Sequence, residues 1–324
     1  MRIRKLLNWN MLGVPIILIV LSTIAYWIEP RFLQFSNIIN LLGQTSILAL
    51  VSFGQAFVII SGTIDISVGS LVALTAIIST ISARDYGLIP GLLFGVGSGA
   101  LFGFINGFVI TRIKVQPVIA TIAMLNFARG LTFVLSNSQP ILGLPDGYAF
   151  LGSGKIGDIP LRIILALLVL FVGQFFLSQV KIGRNLFAIG GDEEASRLSG
   201  INISRLRTLA YILSGVMAAL SGIVISGRAN SGQPTIGVFL ELNTIAAVVI
   251  GGTSLGGGRG NLWRTFMGAL IITVLSNGMN LAGVSPYMQM MTVGFVIIAA
   301  VLLDKIRLGE EVNLKHLLAH RMVK

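Results

Sequence analysis

The sequence predicts an all-α, polytopic membrane protein of about ten transmembrane helices, one or two of them short or broken, with both termini in the cytoplasm. Three observations predict it. Of 324 residues, 54% are hydrophobic and only 11% are charged, where a soluble domain carries about 25% charged residues; the mean hydropathy is +0.90. Apolar runs near the roughly 20 residues that cross a bilayer recur along the chain. With ten spans and an inside N-terminus, the 23 Lys and Arg all lie in inner segments except Arg31, Arg84, Arg129, Lys155, Arg162 and Arg228. Cytoplasmic loops collect basic residues in this way.

The elements follow in order. Span 11–28 comes after Arg2, Arg4 and Lys5 and ends at Ile28-Glu29-Pro30-Arg31-Phe32. That exit lacks the small residues of a cleavage site, so the span is read as retained. Spans 39–60 and 67–83 follow each other almost without a loop. Spans 88–112 and 117–136 lead to an outer loop at about 137–160, with turn signals at Ser136-Asn137-Ser138-Gln139-Pro140 and Leu144-Pro145-Asp146-Gly147. Span 161–179 precedes a charged inner loop at about 180–206. Spans 207–226, 240–252, 262–283 and 286–303 complete the set, with a cytoplasmic tail at 304–324. Segments 67–83 and 240–252 fit half-helices or re-entrant segments, which membranes tolerate only where protein or a cavity surrounds them. Residues 1–324 read as a single transmembrane domain.

Several function classes are excluded. The chain has no cysteine, which removes disulfides, cysteine-based zinc sites and thiol catalysis. Its two histidines, His316 and His320, both lie in the tail, so neither a metal site nor a histidine dyad is expected in the spans. The net charge of +11 follows from the inner loops and does not point to nucleic acid. No G-x-x-x-x-G-K-[ST] motif exists for holding nucleotide phosphates, and no cofactor is expected. The run 251–260, Gly-Gly-Thr-Ser-Leu-Gly-Gly-Gly-Arg-Gly, lacks the lysine and reads as close packing, a broken helix end or a mobile gate.

Candidate functional residues fall into three groups. Gly91, Gly95, Gly99, Gly103 and Gly107 recur every four residues and form a packing stripe for a neighbouring helix, in this chain or in a second copy. Asp65 stands between two apolar runs, beside Ser67. A carboxylate there either caps the helix starting near Ser67 or acts as a gate or pathway residue. Arg129 either snorkels at the outer end of its span or meets substrate, and Glu241 reads as a cap for the short span. The amides Asn40 with Gln44, Asn126 with its neighbour Gly130, and Asn277 with Asn280 share helix faces. Such amides suit sugar hydroxyls and equally serve as interhelical glue. In the inner loop, Gly190 to Ile201 describes a short acidic-start helix closed by Gly200, either a solvated loop helix or a docking helix.

These motifs resemble the permease subunits of bacterial ATP-binding-cassette importers, in particular the ribose/arabinose/xylose permease family, over about residues 36–305. Glu194-Ala195-Ser196 with Gly200 is similar to the E-A-A-x-x-x-G loop of such permeases, with serine at the third position. Ile64-Asp65-Ile66-Ser67-Val68-Gly69-Ser70 is similar to the family's G-I-D-L-S-V-G-S block, with Thr63 before it. Residues 241–255 are similar to E-L-D-A-I-A-A-V-V-L-G-G-T-S-L, with Asn243 replacing the acid. The resemblance implies a non-enzymatic inner-membrane subunit that forms the path for a pentose or hexose. Its partners would be a separate ATPase subunit, an extracytoplasmic sugar-binding protein and a second permease copy or paralogue. Glu194, Ala195, Ser196 and Gly200 would carry the coupling to ATP. The competing reading is a secondary transporter or channel for a small polar solute, in which Asp65 would carry the coupling ion.

Overall fold

The computed structural model describes residues 9–307, and side chains from 13 to 302. The termini expected in the cytoplasm, residues 1–8 and the tail beyond 307 with His316 and His320, lie outside the described residues. Helices α1 (Trp9–Ile28), α2 (Phe35–Ile60), α3 (Val68–Tyr86), α4 (Leu88–Thr111) and α5 (Pro117–Ser136) follow in order. Then come α6 (Tyr148–Ser153), α7 (Leu161–Gln179), α8 (Lys181–Gly191), α9 (Glu193–Leu198), α10 (Ile203–Ala229), α11 (Leu240–Ile250), α12 (Leu262–Leu281) and α13 (Pro286–Arg307). Among the described residues, α2, α3, α4, α5, α7 and α10 are long and apolar enough to cross a membrane. The outer loop departs from an all-α pattern, because Lys155–Ile156 and Ile159–Pro160 pair as a small antiparallel hairpin.

Local chemistry sets the helix ends. Pro117 opens α5, a position where its missing N–H costs nothing. Asn137 (φ 50°) and Asn230 (φ 47°) close α5 and α10 in the left-handed region, which asparagine tolerates. Asn202 accepts from Arg205 N at 3.0 Å to cap α10. Gln174, reaching from α7, accepts from Leu262 N at 2.9 Å and so caps α12 from a different helix. Before α2, Glu29 receives both Nε and Nη2 of Arg31 at 2.9 Å, and this cation holds the Glu29 carboxyl down to about 2.

Helix α2 is apolar on every side and is buried almost throughout from Leu48 to Ile60, as expected of a central helix. On one side α10 packs between α2, α3 and α4; on the other, α12 packs between α1, α2 and α11. The glycine stripe of α4 meets α3 and α10 of the same chain. Ala83 and Ser79 face Gly91 and Gly95, while Gly215, Tyr211 and Thr208 face Gly99, Gly103 and Gly107.

Two segments break the helical pattern at membrane depth. Residues 61–67 run along α10: Arg207 Nε donates to Ser61 O at 3.1 Å, Tyr211 Oη to Ile64 O at 3.0 Å, and Ser214 Oγ to the Asp65 carboxylate at 3.0 Å. From 207 to 214 this is about 10 Å of helix at 1.5 Å per residue, so α3 begins well inside the bundle. Residues 230–239 run back along α3, with Gly232 against Thr80 and Gly237 against Gly69, an interval of about 16 Å at the same rise. The half-helix α11, of 11 residues, continues from there. Thus 67–83 is part of a 19-residue helix entered by a re-entrant loop, and 240–252 is the helical half of a segment whose other half is a run of turns.

Candidate functional site

The inner loop builds the first part of the site. Asp192 Oδ1 accepts from Ala195 N at 2.9 Å and starts α9; Gly200, at φ 76°, ends the turn that follows it. Ser196 is buried, while Glu194, Ala195 and Arg197 are exposed. Glu194 pairs with Arg197 inside the helix, Nη2 to Oε1 at 2.5 Å, and pushes that guanidinium further above its usual value. The residue that leaves the helix is Glu193, whose carboxylate meets Arg207 Nη2 of α10 at 2.7 Å. Sequence reasoning passed over Glu193 and Arg207; the acidic start of α9 was visible, but a pair 14 positions apart carries no helical spacing signal.

A backbone junction lies beside this helix. Gly190 at the end of α8, Gly62 after α2 and Gly257–Gly258 of the glycine-rich run touch one another without side chains between them. Gly258 N donates to Ile60 O at 3.0 Å. A Cβ on Gly190 would strike Ile60 O and Gly258 N, so glycine is required for this approach. The glycine-rich run is therefore placed against the ends of α2 and α8.

Asp65 sits at the second part, with no exposed surface. Its Oδ1 accepts Ser67 N at 3.0 Å and Ser67 Oγ at 2.6 Å, and its Oδ2 accepts Ser214 Oγ at 3.0 Å. Asn106 Nδ2 donates to Ser67 Oγ at 2.9 Å. With its amide turned, Gln55 brackets the Asp65 backbone, donating to its C=O and accepting from its N–H. The carboxylate bonds the N–H of Ser67 rather than those of the following turn, so it makes a tight local turn and ties α3 to α10. Four helices converge on this knot, and Gln55, Asn106 and Ser214 had no sequence signal because each comes from a different helix.

The third part surrounds the non-helical stretch 230–239. Arg129 does not snorkel: its Nη1 donates to Pro234 O at 3.1 Å and Ile236 O at 2.8 Å, supplying donors to carbonyls that no helix or strand satisfies. Glu241, in the first turn of α11, lies over Gly69 and is close enough to attract Arg129. The remaining amides diverge. Asn277 is buried and exchanges two hydrogen bonds with Asn37 of α2, at 2.9 and 3.1 Å. Asn280 is exposed and accepts from Gln289 Nε2 of α13 at 2.8 Å. Asn126 is exposed and donates to Ile122 O of its own helix at 3.0 Å.

Residues 37–301 match the family described as the branched-chain amino acid transport system permease component. The ribose import permease protein RbsC of Bacillus subtilis (strain 168) is 42% identical over 297 residues, 91% of this chain and 91% of that one. The L-arabinose transport system permease protein AraH of Escherichia coli (strain K12) is 34% identical, covering 92% of this chain and 91% of its own. The D-allose transport system permease protein AlsC of the same strain is 32% identical, covering 93% of both. With its family match running from the start of α2 into α13, the chain belongs to the branched-chain amino acid transport system permease family, the inner-membrane permeases of ATP-binding-cassette transporters.

Proposed function

We propose that the chain forms the translocation path of an importer for a monosaccharide, pentose or hexose. An extracytoplasmic binding protein delivers the sugar to the outer face around 137–160, and a separate ATPase subunit seats α9. The similarity to ribose, arabinose and allose permeases over nine-tenths of the chain supports the cargo class. One observation carries the mechanism: α9 stands out from the bundle, yet Glu193 ties it to Arg207 and, through the same guanidinium, to Ser61 at the head of the Asp65 loop. A pull on α9 therefore reaches α10 and the α2–α3 break together, and the two-state element that ATP biases is this junction.

In this proposal residues 1–324 are one permease domain of ten crossings. The non-helical 230–239 with α11 counts as one crossing, and both termini are cytoplasmic. A second copy or a paralogue completes the path. Glu194, Ala195, Ser196 and Gly200 form the surface presented to the ATPase. The test is a gentle detergent pull-down of the tagged chain from its native membranes. A co-purifying subunit with a phosphate-loop sequence is expected, and its loss from the Glu194→Lys variant locates the contact. Recovery of the chain alone, with uptake that persists after ATP depletion, overturns the proposal in favour of secondary transport.

A further inference from the structure

The stretch 230–239 has to be accounted for by its surroundings. Non-helical backbone at membrane depth leaves N–H and C=O groups that hydrocarbon cannot satisfy, so it occurs only where protein buries it or where it borders a water-filled cavity. Arg129 answers two of its carbonyls from one side. On the other side Val238, Phe239 and Leu242 are 56%, 46% and 42% exposed. Val238 and Phe239 sit on non-helical turns, whose backbone lipid does not cover.

A cavity of about 330 Å³ opens there, between the start of α11 and the facing sides of α12 and α13. Phe239, Asn243, Ser276, Gln289 and Met290 line it. Phe239 takes φ 61° and ψ 8°, a conformation rare for a bulky side chain, and its ring forms one wall. Gln289 commits its Nε2 to Asn280 and Val284 O, which leaves Oε1 free to accept. The Asn243 side chain makes no hydrogen bond among the described residues, and the lining holds no charged group. An aromatic face, two amides and a hydroxyl match an uncharged polyol, and no charged group lines the cavity to pair with an amino acid's ammonium or carboxylate. The volume is in the range of small-molecule sites.

We propose that this cavity is a resting site for the sugar ring on its way through the permease. Phe239 packs on the ring face, and Asn243, Ser276 and Gln289 exchange hydrogen bonds with its hydroxyls. The proposal rests on the importer function above. Arg129 is then a positioning residue, holding the stretch that presents Phe239.

The absence of cysteine makes the test direct. Phe239→Cys and Asn243→Cys are each reconstituted with the ATPase subunit and binding protein in vesicles, then treated with a water-soluble methanethiosulfonate. Both are expected to label, and a sugar that the vesicles import is expected to slow labelling by about tenfold, a difference of about 1.4 kcal/mol. Phe239→Tyr is expected to keep uptake within about twofold while Phe239→Ala raises the half-saturating sugar concentration by about tenfold. No labelling of either cysteine overturns the proposal, because the face is then covered. Disulfide formation between two copies at position 239 with undiminished uptake overturns it too, and assigns the face to a dimer contact. Labelling that no imported sugar slows refutes the site while leaving the importer standing. Wild-type vesicles that import none of ribose, arabinose and allose refute the importer reading itself.

Discussion

Arg207 Nη2 pairs with Glu193 at 2.7 Å while Nε of the same guanidinium donates to Ser61 O at 3.1 Å. The Arg207 side chain is only 15% exposed but Glu193 is 56% exposed, so the ion pair itself is worth no more than about 1 kcal/mol. Its importance is geometric, since it joins α9 to α10 and, through the same guanidinium, to Ser61 O. Glu193→Gln is expected to leave the melting temperature of the purified protein within a few degrees while lowering sugar imported per ATP. Arg207→Met is expected to lower both, because Ser61 O also loses its donor. Partial recovery in the Glu193→Arg, Arg207→Glu double variant identifies the pair; unchanged coupling in all three variants rules out this route.

Asp65 makes a second prediction, about stability. Removing its carboxylate orphans Ser67 N and Ser214 Oγ inside the bundle and leaves Ser67 Oγ with only the bond from Asn106, and each buried orphan costs about 1–3 kcal/mol. Asp65→Ala is therefore expected to lower thermal stability in detergent severely, and Ser214→Ala, which leaves Asp65 Oδ2 without its donor, by about 1–3 kcal/mol. Thermal unfolding of the two variants beside wild type measures this directly. Comparable small shifts for both would show that the knot carries little of the fold. A proton gradient without ATP is expected to drive no uptake in wild type or in Asp65→Asn.

Most helices were legible because a lipid-facing or fully buried helix must be apolar over its whole length. Residues 88–112, 117–136 and 161–179 accordingly match α4, α5 and α7 within a residue. The breaks were legible only as shortness at 240–252 and as a missing loop before 67–83. Residues 230–239 carry glycine, proline and threonine, a composition that also suits an ordinary outer loop, and only contact with Thr80 and Gly69 places them at depth. Asn277 and Asn280 share a helix face by spacing, yet one binds Asn37 and the other Gln289. Asn37 lies 240 positions away and Gln289 lies on the next helix, and a partner on another helix leaves no periodicity to read. Arg129 shows the same limit, since its partners are carbonyls, which every residue has.

The seam between α4 and α10 gives a paired prediction. A Cβ on Gly99 would meet Gly215 O and Ala219, whereas one on Gly97, two residues away, would meet nothing within 4 Å. Gly99→Ala is expected to cost about 1–3 kcal/mol by overpacking, and Gly97→Ala to be neutral or slightly stabilising because alanine favours the helix. Expression level and thermal unfolding in detergent report the contrast. Equal behaviour of the two variants would mean that α4 and α10 do not touch backbone to backbone.

The glycine junction separates coupling from folding most sharply, because α8 ends in two adjacent glycines with opposite surroundings. Gly190 abuts Ile60 O and Gly258 N, while Gly191 has nothing within 4 Å of a Cβ. Gly190→Ala must push the end of α8 away from α2 and from the glycine-rich run, yet α8 lies in the inner loop and not among the crossing helices. The expected result is a protein that inserts and purifies normally but imports sugar poorly, with ATP hydrolysis persisting in the assembled transporter. Gly191→Ala is expected to import as wild type does. Measuring uptake and hydrolysis together distinguishes the cases: loss of both in Gly190→Ala indicates failed assembly with the ATPase, and loss of uptake alone indicates that force from α9 no longer reaches the end of α2. Normal uptake in Gly190→Ala would show that the contact with Ile60 and Gly258 opens without consequence.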